Sequence, residues 1–136
     1  MDVQTAIAYI GEHHRAVLAT TRADGTTQMT PVAATVDAEG RVVVSTRETA
    51  YKVHHLRALP YASLCVFSDA FFGEWVQVEG PVDVVSLPDA MEPLVEYYRS
   101  IRGEHPDWAE YRAAMEADRR VVLRMSVERA GPTVHG

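Results

Sequence analysis

The sequence predicts a mainly β fold of the α+β class, a small antiparallel barrel with short helices at its edges. Three observations predict it. About six runs of strand character are joined by short turns. The strand–helix–strand alternation of a parallel sheet is absent. No Gly-x-Gly-x-x-Gly run follows a strand, which excludes a Rossmann domain.

Asp2 is a suitable N-cap, and Val3, Ile7 and Ile10 share one face of a helix that Gly11 is expected to stop. Ala16 to Thr21 reads as a strand. Asp24-Gly25 is a hairpin turn, since this pair tolerates the positive φ of tight connections. Thr27 to Val36 is the partner strand, Glu39-Gly40 the next turn, and Arg41 to Thr46 the strand after it. A short helix follows, with Val53, Leu56 and Leu59 on one face. Tyr61 to Ser68 and Glu74 to Val85 are two further strands. The second alternates through Trp75, Val76, Gln77, Val78 and Glu79, then bends at Gly80-Pro81 as a strand does at a barrel corner. Pro88 suits the first turn of a helix with Met91, Leu94, Val95, Tyr98 and Ile101 as its apolar stripe. Gly103 ends that helix. Pro106 and Asp107 open another, with Trp108, Tyr111 and Met115 on one face, and a last strand spans Arg120 to Val127. With no repeat and no long linker, residues 1–136 are expected to form one domain.

Hydrophobic content of 47% and charged content of 24% fit a chain that buries a core. A net charge of −6 argues against nucleic acid and against an anionic membrane surface as partners. Any anionic ligand must then be met by a local cluster of cations. Cys65 is the single cysteine, so no intrachain disulfide forms, and its apolar run marks it as a packing residue in a core strand. The amino terminus lacks a signal-peptide pattern and no 18-residue apolar span occurs; the expectation is a cytoplasmic protein.

The segment Arg41 to Pro60 organises the chain chemically. An apolar strand gives way to Ser45 and Thr46, and a helix begins close to Lys52, the only lysine present. Exposed N–H groups at a helix start, hydroxyls at a strand end and one cation are what a phosphate needs. Pro31, inside a strand pattern, must sit at an edge or bulge, leaving neighbouring backbone groups free to bond a flat ring. Trp75 could stack on such a ring or fill the core. The histidines at 13, 14, 54, 55 and 105 offer no ligand spacing for a metal, because adjacent histidines point apart. No paired-carboxylate, Gly-x-Ser-x-Gly or triad pattern marks a catalytic side chain.

These segments together resemble the pyridoxamine 5′-phosphate oxidase-like split β-barrel flavoproteins, and within them the branch that uses the deazaflavin coenzyme F420. Ala16 to Gly25 is similar to that branch's opening hairpin, and Gln28 to Val32 to its ring-contacting strand. Val44 to Thr46 with Lys52 to Arg57 and Pro60 is similar to its phosphate corner. Tyr98 to Trp108, continuing to Leu123, resembles the carboxy-terminal part of one small subgroup. The resemblance implies a six-stranded split barrel, a homodimer with the cofactor in a groove between subunits, and a small-molecule substrate. It places Lys52 on the phosphate-binding lysine and Ser45 and Thr46 on the strand-end polar pair. Thr30, Pro31 and Val32 fall on the stretch facing the ring, and Trp75 near a wall supplied by the facing subunit. Close relatives often carry arginine where this chain has Ala50, and Arg47, His54 or Arg57 are the candidates to replace it.

The implied activity is hydride transfer from reduced F420 to a small unsaturated or quinone-like acceptor, the chemistry belonging to the cofactor. An FMN-dependent flavoprotein on the same barrel, and a non-enzymatic binder of F420 or a tetrapyrrole, are the competing expectations. Phe71 and Phe72, in the loop Ser68 to Gly73, point to an apolar acceptor or to a subunit contact.

Overall fold

The computed structural model describes residues 1–132. The elements in chain order are α1 (Val3–Glu12), β1 (Arg15–Thr21), β2 (Thr27–Val36), β3 (Val42–Arg47), α2 (Tyr51–Ala58), β4 (Tyr61–Phe67), β5 (Trp75–Val85), α3 (Met91–Arg102), α4 (Trp108–Ala117), β6 (Arg120–Met125) and β7 (Arg129–Gly131). All pairings are antiparallel. They run β4-β1-β2-β3-β6-β5, and a β4–β5 pairing closes the ring into a six-stranded barrel. β7 adds to β5 outside the ring.

Closure depends on the long β5. Its first part, Trp75 to Pro81, pairs with β4, and Val82 to Val85 pair with β6. The change of partner falls at Gly80-Pro81, the bend expected from sequence. A Cβ on Gly80 would stand 1.9 Å from the Ser126 carbonyl oxygen. Only glycine lets the two backbones pass that closely. Ser126 N–H in turn donates to the Pro81 carbonyl at 3.0 Å. This contact turns the chain after Met125, so the strand expected to reach Val127 ends two residues earlier, and a short further strand, β7, follows it.

The interior is filled by small and branched side chains including Leu18, Ala34, Val44, Leu64, Val78 and Leu123. α1 covers it with Ala6 and Ile10. α2 inserts Val53 and Leu56 beside Thr20, whose hydroxyl bonds the His55 ring at 3.1 Å. A second cluster lies outside the barrel, where Leu94 and Val95 of α3 and Tyr111 of α4 cover Val43 and Val122.

Asp2 caps α1 as expected, accepting from Thr5 N–H at 2.7 Å. Gly11 does not stop the helix: α1 runs to Glu12 and ends when His13 N–H donates to the Tyr9 carbonyl. Pro88 does not open α3, which starts at Met91. Pro88 lies in the preceding turn, and its carbonyl accepts from Met91 N–H at 3.1 Å. Gly103 ends α3 with φ 81, and Asp107 caps α4 by accepting from Glu110 N–H. Cys65 lies on the outer side of β4, half-buried rather than in the core, and burial pushes its thiol pKa up. No helix among the described residues is long and apolar enough to cross a membrane.

Candidate functional site

The barrel is split along one seam. β2 pairs with β1 from Thr27 to Ala33, but with β3 only from Ala34 to Val36. Before Ala34 the two strands part, and Ser45 to Arg47 of β3 pair only with β6. Both lips of the seam therefore carry unpaired backbone.

The phase of the β1–β2 ladder decides which groups face the seam. Ala34 N–H donates to the His14 carbonyl at 2.8 Å. Narrow and wide pairs alternate along an antiparallel ladder, so even-numbered β2 residues aim their backbone groups at β1 and odd-numbered ones aim theirs away. Pro31 falls on an outward position, and its missing N–H leaves no gap in the ladder. The groups on the open lip are the Pro31 carbonyl and the N–H and carbonyl of Met29. Those of Thr30 and Val32, expected to face a ring, are instead engaged with β1. The side chain of Val32 packs on the core, and that of Thr30 is half-buried.

The other lip leads into α2. Ala50 is the N-cap and offers no side-chain cap, and the N–H groups of Tyr51 and Lys52 make no hydrogen bond among the described residues. Lys52 reaches back so that its Nζ donates to Thr46 Oγ1 at 3.4 Å. Burial, reinforced by the charge of Arg120, holds the Lys52 pKa below the usual lysine value. Thr46 is buried and points inward. Its neighbour Ser45 lies on the opposite, outer face of β3, so the pair does not act as one hydroxyl cluster.

Arginines supply the rest of the charge. Arg47 and Arg120 stand directly opposite each other in the β3–β6 ladder, a like-charged arrangement that costs stability unless an anion shares it. Both lean on one carboxylate, Asp118, at 3.8 and 3.5 Å. The Nε of Arg120 is the atom that faces Asp118, and it is buried in that ion pair without a hydrogen bond. Arg47, Lys52 and Arg120 thus outnumber the carboxylate beside them, in a chain whose overall charge is −6. Arg120 was invisible as a site residue in the sequence, because only strand pairing brings it to Arg47.

Two candidates to replace the missing cation at Ala50 are placed otherwise. Arg57 is held by Glu48, at 2.5 Å, and donates to Ser86 Oγ at 3.1 Å, joining α2 to the end of β5. The hydrogen bond from Arg57 also keeps the Glu48 carboxyl below its usual pKa. His54 is exposed on α2, and its ring makes no hydrogen bond among the described residues. Trp75 is 41% exposed and lies at the opposite end of the barrel from Lys52. It pairs with Phe67, which shares the β4 ladder position of Arg15, whereas α2 sits beside Thr20 at the other end of β1. One chain therefore does not bring Trp75 to the phosphate corner. Phe71 and Phe72 are 61% and 83% exposed.

Tyr97 was also missed in the sequence, lying beside the apolar stripe of α3. Its hydroxyl donates to the Ala33 carbonyl at 2.8 Å, where β2 leaves β3. Burial raises its pKa. Among the described residues, no three His, Cys, Asp or Glu side chains are grouped to hold a metal ion.

A family model described as pyridoxamine 5′-phosphate oxidase matches residues 4–133. Among solved structures, the conserved hypothetical protein Rv2991 from Mycobacterium tuberculosis is similar with a TM-score of 0.77 and 21% identity, over 96% of this chain and 82% of that one. A structure described as an F420 reductase is similar with a TM-score of 0.70 and 20% identity, over 91% and 94%. A heme-binding protein from Mycobacterium smegmatis is similar with a TM-score of 0.71 and 14% identity, over 94% of this chain and 52% of that one. At these identities the likenesses establish the fold.

Proposed function

This chain belongs to the pyridoxamine 5′-phosphate oxidase family of split β-barrels, and from that premise we propose that it is a reductase dependent on coenzyme F420. The observation carrying this reading is the cation-rich corner at the seam, where Lys52 and Arg120 have donors to spare and the first N–H groups of α2 are uncapped. These residues fit a phosphate group. Its negative charge meets cations that have too few carboxylates of their own. The similarity in fold to a structure described as an F420 reductase supports the choice of deazaflavin.

When bound, the deazaflavin would supply hydride to a small unsaturated or quinone-like acceptor. The chain's own groups position it. Lys52, Arg120 and the N–H groups of Tyr51 and Lys52 hold the phosphate. The Met29 N–H, on the open lip, can donate to an acceptor atom on the ring edge, while the Pro31 carbonyl accepts from a ring N–H. A second copy of the chain is expected to wall the ring with its Trp75, since the tryptophan lies far from its own Lys52. Size-exclusion chromatography with light scattering tests that dimer.

FMN is the second reading, because the same corner would hold the phosphate of any flavin. Titration of the protein with F420, FMN, riboflavin and the dephosphorylated deazaflavin separates them. The reading requires F420 to bind more tightly than FMN, and each phosphorylated form more tightly than its dephosphorylated partner. Tight FMN binding without measurable F420 binding overturns the deazaflavin assignment. Equal binding with and without phosphate overturns the corner. Turnover with a panel of unsaturated acceptors then distinguishes the reductase from a non-enzymatic binder.

A further inference from the structure

A cleft of about 770 Å³ opens between α3 and the β2–β3 turn, at the paired end of those strands and away from the seam. That is the size of a site for a small organic molecule. Its floor is apolar, formed by Val36, Val43 and Pro93 with the ring of Tyr97, and holds one hydroxyl pair, Thr35 and Ser100, bonded to each other at 2.6 Å.

The charges around it are unevenly matched. Five carboxylates stand at the rim, and each is bonded to a guanidinium. Asp37 and Glu39 hold Arg41 at 2.8 and 3.0 Å. Glu96 and Glu104 hold Arg99 at 2.6 and 2.7 Å, and Glu92 holds Arg112 at 2.8 Å. Arg124, rising from the outer face of β6 into the cleft, is different. Its side chain has no ion pair or hydrogen bond among the described residues, and its Nε is buried without a partner. Its cross-strand neighbour Asp83 is exposed and forms no ion pair with it. A buried guanidinium donor left unbonded is costly, and a ligand acceptor relieves that cost.

We propose that this cleft binds a small organic monoanion, a flat apolar body bearing one carboxylate, with the carboxylate on Arg124 and the body on Val43, Pro93 and Tyr97. A single charge is specified because the rim carboxylates occupy the other guanidiniums, so a second negative group would meet only carboxylates already paired. The site is separate from the phosphate corner and does not rest on the cofactor assignment.

The test is an amide-resolved NMR titration of the isotope-labelled full chain with sodium 2-naphthoate and with neutral 2-naphthamide. Naphthoate is expected to shift the amides of Thr35, Val43, Ser100 and Gly103 saturably, and to bind at least about tenfold more tightly than naphthamide. Arg124→Gln should weaken naphthoate by about tenfold and leave naphthamide unchanged. Arg124→Lys, which keeps the charge, should fall between, and an unaltered spectrum elsewhere shows that each variant is folded. Equal binding of the two probes, unchanged naphthoate affinity in Arg124→Gln, or shifts confined to the Met29 and Lys52 amides at the seam would overturn the proposal.

Discussion

The hydroxyl of Tyr97 donates to the carbonyl of Ala33 at 2.8 Å, tying α3 to β2 at the residue where the barrel begins to split. The bond lies between the two regions of chemical interest, the cation-rich corner on one side and the α3 cleft on the other. Removing it should loosen the junction without emptying the core. Tyr97→Phe is expected to cost about 1 kcal/mol of unfolding free energy in a urea titration. A loss above about 3 kcal/mol would mean that the hydroxyl holds more than this one carbonyl.

Lys52 gives the cofactor site a predictable pH dependence. Its folded pKa lies below the usual 10.5, because burial and Arg120 disfavour the charged form. Bound phosphate favours that form, so binding takes up a proton wherever free Lys52 is partly deprotonated. Affinity for a phosphorylated cofactor should therefore fall as pH rises through the folded Lys52 pKa, in a window that opens below 10.5. Dephosphorylated cofactor and the Lys52→Ala variant should show no such fall. The check is a set of dissociation constants measured across alkaline pH.

Arg57 separates geometry from resemblance. It faces the right part of the chain to replace the cation missing at Ala50, yet it is occupied by Glu48 and Ser86. Arg57→Ala is expected to leave cofactor affinity within about twofold, and to lower stability by about 0.5–1 kcal/mol, since the pair is partly exposed. Arg120→Gln should do the reverse, weakening phosphorylated cofactors about tenfold with little change in riboflavin binding. Isothermal titration of both variants decides which arginine serves the phosphate.

Tyr111 reports on the outer cluster. Its hydroxyl donates to the Leu94 carbonyl at 2.7 Å, and burial pushes its pKa up to about 12. A folded value above the unfolded one means that stability is fully present below about pH 10 and is lost as pH rises toward 12. Tyr111→Phe should flatten that alkaline decline. Denaturant midpoints measured between pH 9 and about 12 make the comparison.

Gly80 sets the tightest steric demand. Gly80→Ala puts a methyl group where the Ser126 carbonyl already stands, and both neighbours are backbone. The expected cost is about 3 kcal/mol or more, seen as a large drop in melting temperature or as insoluble expression.

The barrel was legible in the sequence because its strands are short, alternating and punctuated by turn residues. Asp24-Gly25 and Gly80-Pro81 announce a hairpin and a corner through backbone preferences that act locally. Gly11 and Pro88 misled for the converse reason. Each has a local preference, but the boundaries were set by hydrogen bonds from His13 and Met91 to carbonyls just upstream. The break between β6 and β7 depends on Ser126 meeting Pro81, a contact between segments far apart in sequence. At the corner, Lys52 was visible as the lone lysine beside two hydroxyls. Arg120 was not, because its partner Arg47 is set only by pairing. The division of labour among Thr30, Pro31 and Val32 required the ladder phase, which a strand pattern alone leaves open.

β5 and β6 are neighbours in the ring, so everything from Ser86 to Arg119 is an excursion that leaves one strand and returns beside it. A tight turn joining Val85 to Val122 would keep the β5–β6 rungs but remove Val121 and Arg120, the partners of Thr46 and Arg47 in β3. What such a shortcut would also forfeit is the roof over Val43 and Val122 and one whole wall of the α3 cleft. The excursion thus supplies ligand-facing surface on which no β5–β6 rung depends.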